Sequence, residues 1–167
     1  MNDVFFEQIV PKRPEKKDAV KGVLILLGTL AVFSLLLFLA AFMRELAPLI
    51  ILAALGVFYL GVLLYRNLSV EFEYIITNGE LDVDKIIAKR KRKRILSVNV
   101  KTFDARGSFS KDEQLRERYD TKIFACSHID DTENMYAIFS HKTFGKTLLV
   151  ITPNQKIEEN IKRYVRK

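Results

Sequence analysis

The sequence predicts an α+β protein in which a hairpin of two apolar helices is followed by an antiparallel β-sheet and one C-terminal helix. Two charge-free segments lie near the N-terminus, a run with strand periodicity begins directly after them, and the chain ends on an amphipathic helix pattern. We therefore divide the chain into an N-terminal tail (1–21), a helical hairpin (22–65) and a small domain (66–167).

The two apolar segments are each long enough to cross a bilayer. Residues 22–43 contain no charged side chain, and the second segment reaches the length of a span when it is counted from Leu46 to Tyr65. A span needs about 20 apolar residues, and only a short loop separates the segments, so the two predicted spans are antiparallel. A buried hairpin in a soluble protein would need polar faces, which these segments lack.

The distribution of Lys and Arg predicts the orientation of this hairpin. The net charge is +7, and the segment after the hairpin has 21 Lys/Arg against 15 Asp/Glu. Five more basic residues precede the first span, whereas the loop between the spans carries only Arg44 and Glu45 as charges. Because basic flanks stay in the cytoplasm, we expect a cell-membrane protein with two spans and both termini cytoplasmic.

Small residues in the two spans suggest how the helices pack. Gly28, Ala31 and Ser34 are three residues apart in the first span, and Ala53 and Gly56 are three apart in the second. Small side chains let membrane helices approach closely. We therefore expect these residues to form the helix contact.

The tail before the hairpin is short and polar. It has one apolar patch, whose members are Val4, Phe5, Phe6, Ile9 and Val10. Their spacing suits a short amphipathic helix at the membrane interface, and Pro11 and Pro14 would end it. The alternative is a tail without regular structure.

A β-hairpin is predicted directly after the spans. Apolar residues alternate from Val70 to Ile76, and Asn78-Gly79 is a preferred tight turn. This turn places Ile76 opposite Leu81, Tyr74 opposite Val83, Phe72 opposite Lys85 and Val70 opposite Ile87. In this register Lys85 lies on the apolar face and Glu73 faces Asp84, which repels it. A β-bulge near Asp84 would relieve both conflicts.

Further strands and a helix follow this β-hairpin. We predict strands at residues 95–103, 122–129, 135–141 and 146–152, and a long loop with a helical turn at 104–120. A helix is predicted after Pro153-Asn154, with an apolar stripe formed by Ile157, Ile161, Tyr164 and Val165. The predicted domain thus has about six antiparallel strands closed by one helix.

The phrase YIITNGELDVDKIIA, followed by a basic run and ILSVNV (residues 74–100), resembles bacterial membrane proteins with a pleckstrin-homology-like (PH-like) domain directly after a pair of spans. The whole layout is similar to a family of small two-span proteins from Gram-positive anaerobes. The resemblance implies a PH-like partial barrel plugged by the C-terminal helix, a membrane setting and no catalytic residue. Phosphoinositide-binding PH domains carry basic residues around their first strand turn, whereas Asn78-Gly79 has acidic neighbours.

The strongest charge cluster is the basic run, which consists of Lys89, Arg90, Lys91, Arg92, Lys93 and Arg94. The first strand leaves the membrane and the tight turn sends the second strand back, so this run is predicted to return to headgroup level. A cation there contributes about 1 kcal/mol, which makes the six residues a candidate membrane-surface contact. The alternative is a solvated strand end that maintains solubility. Nucleic acid is disfavoured as a partner because no aromatic residues interleave with the run.

The sequence contains no recognisable pattern for catalysis or cofactor binding. P-loop, nucleophile-elbow, HExxH and dinucleotide motifs are absent. Cys126, His128 and His141 lack a fourth ligand at zinc-site spacing, so we expect no metal site, no cofactor and no enzyme. We expect a membrane-anchored binding or scaffold module that engages anionic headgroups or a protein partner. The alternative is a small structural subunit of a larger membrane complex, bound through its hairpin.

Overall fold

The computed structural model describes residues 5–165, which form two compact units. In chain order the elements are β1 (Phe5–Pro11), α1 (Lys16–Phe42), α2 (Ala47–Arg66), β2 (Val70–Thr77), β3 (Glu80–Ile87), β4 (Lys91–Asn99), a 3-10 helix (Val100–Thr102), β5 (Phe103–Ser108), α3 (Lys111–Gln114), β6 (Thr121–Ala125), β7 (Met135–His141), β8 (Gly145–Ile151) and α4 (Gln155–Val165). The helices α1 and α2 form one unit (Pro14–Ser69), and the described residues before and after it form the sheet domain.

The sheet domain begins before the hairpin in sequence. Strand β1 pairs antiparallel with β2 over its whole length, from Phe5 opposite Thr77 to Pro11 opposite Glu71. The predicted helix or irregular tail is therefore wrong for the described residues, because the side chains of β1 alternate between exposed and more buried positions. Val4, which the prediction included, lies outside the described residues. The helical hairpin is thus an insertion between two neighbouring strands.

The Asn78-Gly79 turn sets the register of β2 and β3 as predicted. All four expected pairs are present: Ile76 with Leu81, Tyr74 with Val83, Phe72 with Lys85 and Val70 with Ile87. Both turn residues have positive φ (51° and 87°), as this tight turn requires. The predicted bulge is absent from this pair, because Glu73 still lies opposite Asp84 and Phe72 opposite Lys85. A bulge occurs instead between β3 and β4, where Val83 pairs with Leu96 while Asp84 pairs with Arg94, so its extra residue is on β4. The repulsion at Asp84 is relieved by this arginine rather than by a change of the β2–β3 register.

Three other strand assignments differ from the sequence prediction. Strand β4 begins at Lys91, before the predicted start at residue 95, and so contains most of the basic run. Strand β5 occupies part of the predicted loop. It is an edge strand whose Asp104 and Ala105 are exposed, and its polar composition is typical of a loop, so the sequence did not predict a strand there. The second sheet has the order β5-β7-β8-β6, and β6 is parallel to β8, so this sheet is mixed.

The two sheets share one hydrophobic core that α4 completes. Buried side chains come from β1 to β4 and from β5 to β8, and α4 adds the fully buried Ile157 and Ile161. At the Asn78-Gly79 turn, a Cβ on Gly79 would lie 3.0 Å from the ring of Tyr164. Helix α4 therefore covers the end of the first sheet that carries this turn.

A buried polar network joins the two sheets at one corner. The Tyr74 hydroxyl donates to the Ala125 carbonyl and accepts from the Thr152 amide at 3.2 Å. The Thr152 hydroxyl donates to the Asn134 side chain at 2.7 Å, and the Gln8 side chain donates to the Thr152 carbonyl at 3.1 Å. Burial raises the pKa of the Tyr74 phenol well above its usual range. The network therefore fixes β1 and β2 to the end of β8 with neutral groups.

The two long helices fit a two-span membrane protein. They contain 27 and 20 residues, and in the most apolar 18-residue stretch of each helix only 6% and 11% of the residues are buried. A core helix of a soluble protein would be mostly buried, so these exposed apolar surfaces need a covering medium such as lipid. Helix α1 begins at Lys16, before the predicted start at Gly22, and therefore includes three of the five basic residues that precede the span.

The contact between α1 and α2 uses different small residues from those predicted. The buried positions are Gly22 and Ala40 in α1 and Ala54 and Gly61 in α2. A Cβ added at Gly28 or Gly56 would meet no atom within 4 Å, so both glycines face outward and that prediction is wrong. Positions 54 and 61 are seven residues apart, the repeat of two helices in continuous contact.

The tightest point of this contact is Gly61, where a Cβ would collide with the Thr29 side chain. We expect Gly61→Leu to destabilise the helical hairpin by about 1–3 kcal/mol, the usual cost of overpacking. The matched control is Gly56→Leu, which adds the same side chain on an open face. Thermal loss of helical circular dichroism in micelles measures the difference, and equal midpoints for the two variants would contradict this packing.

The β1–β2 pairing predicts that the sheet domain folds without the spans if both strands are kept. The Lys12 amide donates to the Val70 carbonyl at 3.0 Å, so a loop of about four residues can replace Pro14–Ser69. We expect this variant to be a soluble monomer with dispersed amide NMR signals. A chain that starts at Leu68 lacks β1 and exposes the β2 edge, so it should aggregate. Equivalent spectra for the two variants would show that β1 is dispensable.

Candidate functional site at the linker edge

The basic run lies at the end of the first sheet opposite α4. Strand β1 ends here at Pro11, β2 begins at Val70, and the β3–β4 turn follows Ile87. Both chain connections to the helices, residues 12–15 and 67–69, also leave the domain from this end. We call it the linker edge. The prediction that the second strand of the hairpin returns to the start of the first is confirmed, because Val70 pairs with Ile87.

The β3–β4 turn has an unusual backbone for its sequence. Ala88 and Lys89 have φ values of 54° and 56°, and the Arg90 amide donates to the Ile87 carbonyl at 3.1 Å. A residue with a Cβ costs about 1–2 kcal/mol in this left-handed conformation. Since no Gly or Asn marks the turn, sequence reasoning could not locate it. The strained backbone thus lies in the β3–β4 turn, which carries the cations Lys89 and Arg90.

The β-bulge on β4 sorts the basic run onto two faces of the sheet. Ile95 is the extra residue, so Arg94 lies opposite Asp84 and Lys93 lies opposite Lys85. Without the bulge, Arg94 would lie opposite Lys85 and every side chain of the run would change face. The arginines therefore project on the acidic face of the first sheet, and the lysines project on the face that continues from the core.

The two strand arginines are neutralised within the domain. The Arg92 guanidinium lies 2.6 Å from the Glu73 carboxylate, and that of Arg94 lies 2.6 Å from Asp84 and 2.8 Å from Asp82. Glu73 and Asp84 are buried, so these carboxylates need a cation close by. The sequence analysis did not assign these partners to Arg92 and Arg94. The predicted repulsion between Glu73 and Asp84 was a signal that nearby cations are needed.

Glu73 is the most unusual ionisable group of this face. Burial raises the pKa of its carboxyl, the neighbouring Glu7 raises it further, and Arg92 partly offsets both. Its Oε2 is buried and has no hydrogen-bond partner among the described residues. Glu73 therefore takes up a proton at a higher pH than an ordinary carboxyl does.

The remaining cations of the run are not neutralised in this way. Arg90, Lys91 and Lys93 are exposed and form no ion pair within residues 5–165, and Lys89 only approaches Glu71 at 3.8 Å while 75% exposed. Lys93 also lies directly opposite Lys85, and like charges in this position repel. The linker edge thus concentrates cations that lack an internal anion. Lysines on an edge strand also oppose strand pairing between molecules, which is the purely structural interpretation.

The other candidate residues lie elsewhere in the domain. Cys126 is buried beside Leu148, the His128 ring accepts from the Asp130 amide at 3.2 Å, and His141 stacks on Phe144. Among residues 5–165 no three His, Cys, Asp or Glu side chains form a group that could hold a metal ion.

A cleft of about 390 Å³ lies between β5, the loop before β7 and α4. Its charged lining residues are Arg106, Glu133, Glu158 and Lys162. They are distant in sequence and follow no motif, so sequence reasoning did not predict the cleft. Lys162 is already paired with Glu158, which leaves the cleft with a mixed charge and no defined ligand chemistry.

The strained turn yields a stability prediction. We expect Lys89→Gly to stabilise the domain by about 1 kcal/mol, because glycine adopts positive φ without the Cβ penalty. The matched control is Lys91→Gly, which places the same residue in β4 and should destabilise by about 0.5–1 kcal/mol. Urea unfolding of the full chain in detergent measures both changes. A destabilising Lys89→Gly would show that the turn is not strained.

Comparison with known proteins agrees with this architecture. The profile of the family described as bacterial PH-like domain (DUF6106) matches residues 2–167. No curated protein and no solved structure gives a match. The two sheets with a C-terminal helix and the two N-terminal apolar helices confirm the predicted α+β class, and with nearly the whole chain matched, the protein belongs to the bacterial PH-like domain family DUF6106.

Proposed function

We propose that this protein is a membrane-anchored, non-enzymatic binding module whose linker edge contacts anionic lipid headgroups at the cytoplasmic face. The observation that carries this proposal is the coincidence of two features at one end of the sheet. Both connections to the apolar helices leave from the linker edge, and the cations without an internal anion lie at the same edge.

The length of the connections supports the proposal. Residues 12–15 and 67–69 link the strands to the helices, and an extended chain covers at most about 3.5 Å per residue. The strand ends are therefore within about 18 Å of the helix ends by chain length alone. This is about twice the distance of about 8 Å over which exposed charges act in physiological salt. A double connection also restricts rotation more than a single one.

The charge chemistry also favours lipid headgroups. Lysine side chains are flexible point charges that follow a mobile anionic surface, and each contributes about 1 kcal/mol near such a surface. Arg90, Lys91 and Lys93 are exposed and can meet an external anion. Basic residues before α1 and after the hairpin favour a cytoplasmic domain, where the leaflet is anionic.

A second candidate function is a structural subunit of a larger membrane complex. Gly28 and Gly56 lie on open faces of the hairpin, where a Cβ would meet no atom within 4 Å. Small residues on an open helix face allow another span to approach. In that case the hairpin forms the essential interface, and the charge of the linker edge is secondary.

Lysine footprinting of the full chain in nanodiscs tests the first proposal. We expect amine labelling of Lys91 and Lys93 to slow several-fold when phosphatidylserine is added to phosphatidylcholine, because headgroup contact shields them. Lys101, which is exposed at the other end of β4, provides the internal reference. High salt should abolish the protection.

Charge variants provide the matched comparison. Lys91→Gln with Lys93→Gln should remove the lipid-dependent protection of Lys89, whereas Lys142→Gln with Lys156→Gln removes the same charge at other exposed positions and should preserve it. Equal labelling rates of Lys89, Lys91 and Lys93 in neutral and anionic discs would exclude headgroup contact. The subunit function would then be the remaining candidate.

A further inference from the structure

We propose that Glu73 and Arg92 form an acid-sensitive latch, in which protonation of Glu73 releases Arg92 and strengthens the contact of the linker edge with anionic headgroups. This inference rests on the proposed function and adds regulation to the same site. It gives the buried Glu73 carboxylate a regulatory role in addition to its place in the fold.

The geometry of the ion pair is that of a latch with one buried and one exposed end. Glu73 is completely buried, whereas the Arg92 side chain is 55% exposed. Arg92 lies opposite Ile86 of β3 but bonds Glu73 of β2 at 2.6 Å, so its side chain extends across the intervening strand. A neutral carboxyl would retain only a weaker hydrogen bond in place of this charge-assisted one. The exposed guanidinium would then exchange its partner for an external anion.

The groups around Glu73 favour the neutral form. Besides Glu73, the charged side chains of this face are Glu7 on β1, Glu71 on β2, Glu80, Asp82 and Asp84 on β3, and Arg92 and Arg94 on β4. Asp84 lies directly opposite Glu73, and Glu7 is its diagonal neighbour on the adjoining strand. A proton on the unpartnered Oε2 would convert it into a donor toward an acidic neighbour.

The direction of the titration follows from these groups. Burial and Glu7 raise the pKa of Glu73 above the ordinary value of 4.5, against the opposing effect of Arg92. Protonation therefore occurs on acidification before ordinary carboxyls titrate, and the latch opens as the pH falls.

The second arginine is held differently and should not be released. Arg94 contacts both Asp84 and Asp82, so loss of one carboxylate charge leaves the other. Arg92 has Glu73 as its ion-pair partner among residues 5–165. Its release adds one cation to the linker edge, on the opposite face of β4 from Lys91 and Lys93, and one more cation near the headgroups should strengthen the contact about fivefold.

Footprinting of the full chain in phosphatidylserine nanodiscs over a series of decreasing pH that starts at pH 8 tests the latch, with labelling of Lys91 and Lys93 expressed relative to Lys101. The wild-type chain should gain about fivefold protection as the pH falls. Glu73→Gln should show the high protection at every pH. The matched control Glu71→Gln removes a carboxylate from the same strand and face and should keep the wild-type pH response.

Arginine modification in purely phosphatidylcholine discs separates failure of the latch from failure of headgroup binding. Phenylglyoxal should modify Arg92 faster relative to Arg94 in Glu73→Gln than in the wild-type chain, with no anionic lipid present. An unchanged ratio overturns the latch even if lipid protection occurs. A Glu73→Gln chain that keeps the pH response overturns it as well, because the response then comes from other groups. A faster Arg92 without lipid protection supports the latch and contradicts the proposed function.

Discussion

The pairing of β1 with β2 is the constraint on which the rest of the structure depends. Seven residue pairs join strands that are separated in sequence by the two apolar helices. If the hairpin spans a membrane, both of its ends must lie on the same side for this ladder to form, and the spans must number two. The sheet domain also depends on the ladder, because β1 contributes Val10 to the core and Gln8 to the polar corner.

The charge arrangement at the linker edge depends on a second backbone feature, the bulge at Ile95. A shift of one residue decides whether a side chain of β4 faces the buried carboxylates or the lysine face. Because the basic run alternates Lys and Arg, the bulge places every strand arginine near a carboxylate and every strand lysine away from one. Arginine suits this position, since its planar fork matches carboxylates and it is always charged.

Local patterns predicted the parts of this fold that are determined locally. The Asn78-Gly79 turn determined the β2–β3 register, whereas the bulge near Asp84 lies between β3 and β4 and leaves Glu73 opposite Asp84. Strand β1 was missed because its partner lies beyond the helices, and its seven residues also fit a short helix. The latch residue Arg92 was treated as one of six equivalent cations, since its distinction from Lys93 depends on the bulge and on a buried carboxylate two strands away.

The order of synthesis gives the β1–β2 ladder a further consequence. Strand β1 is made first, but its partner appears only after both helices have been made, so β1 remains an unpaired strand while the hairpin is formed. Unpaired strands tend to associate with other chains. The exposed side chains of β1 include Glu7, and Pro11 ends the strand, both of which oppose such pairing. The β1–β2 ladder therefore forms after the hairpin, and if the hairpin spans a membrane, the ladder requires residues 13 and 70 to be on the same side of it.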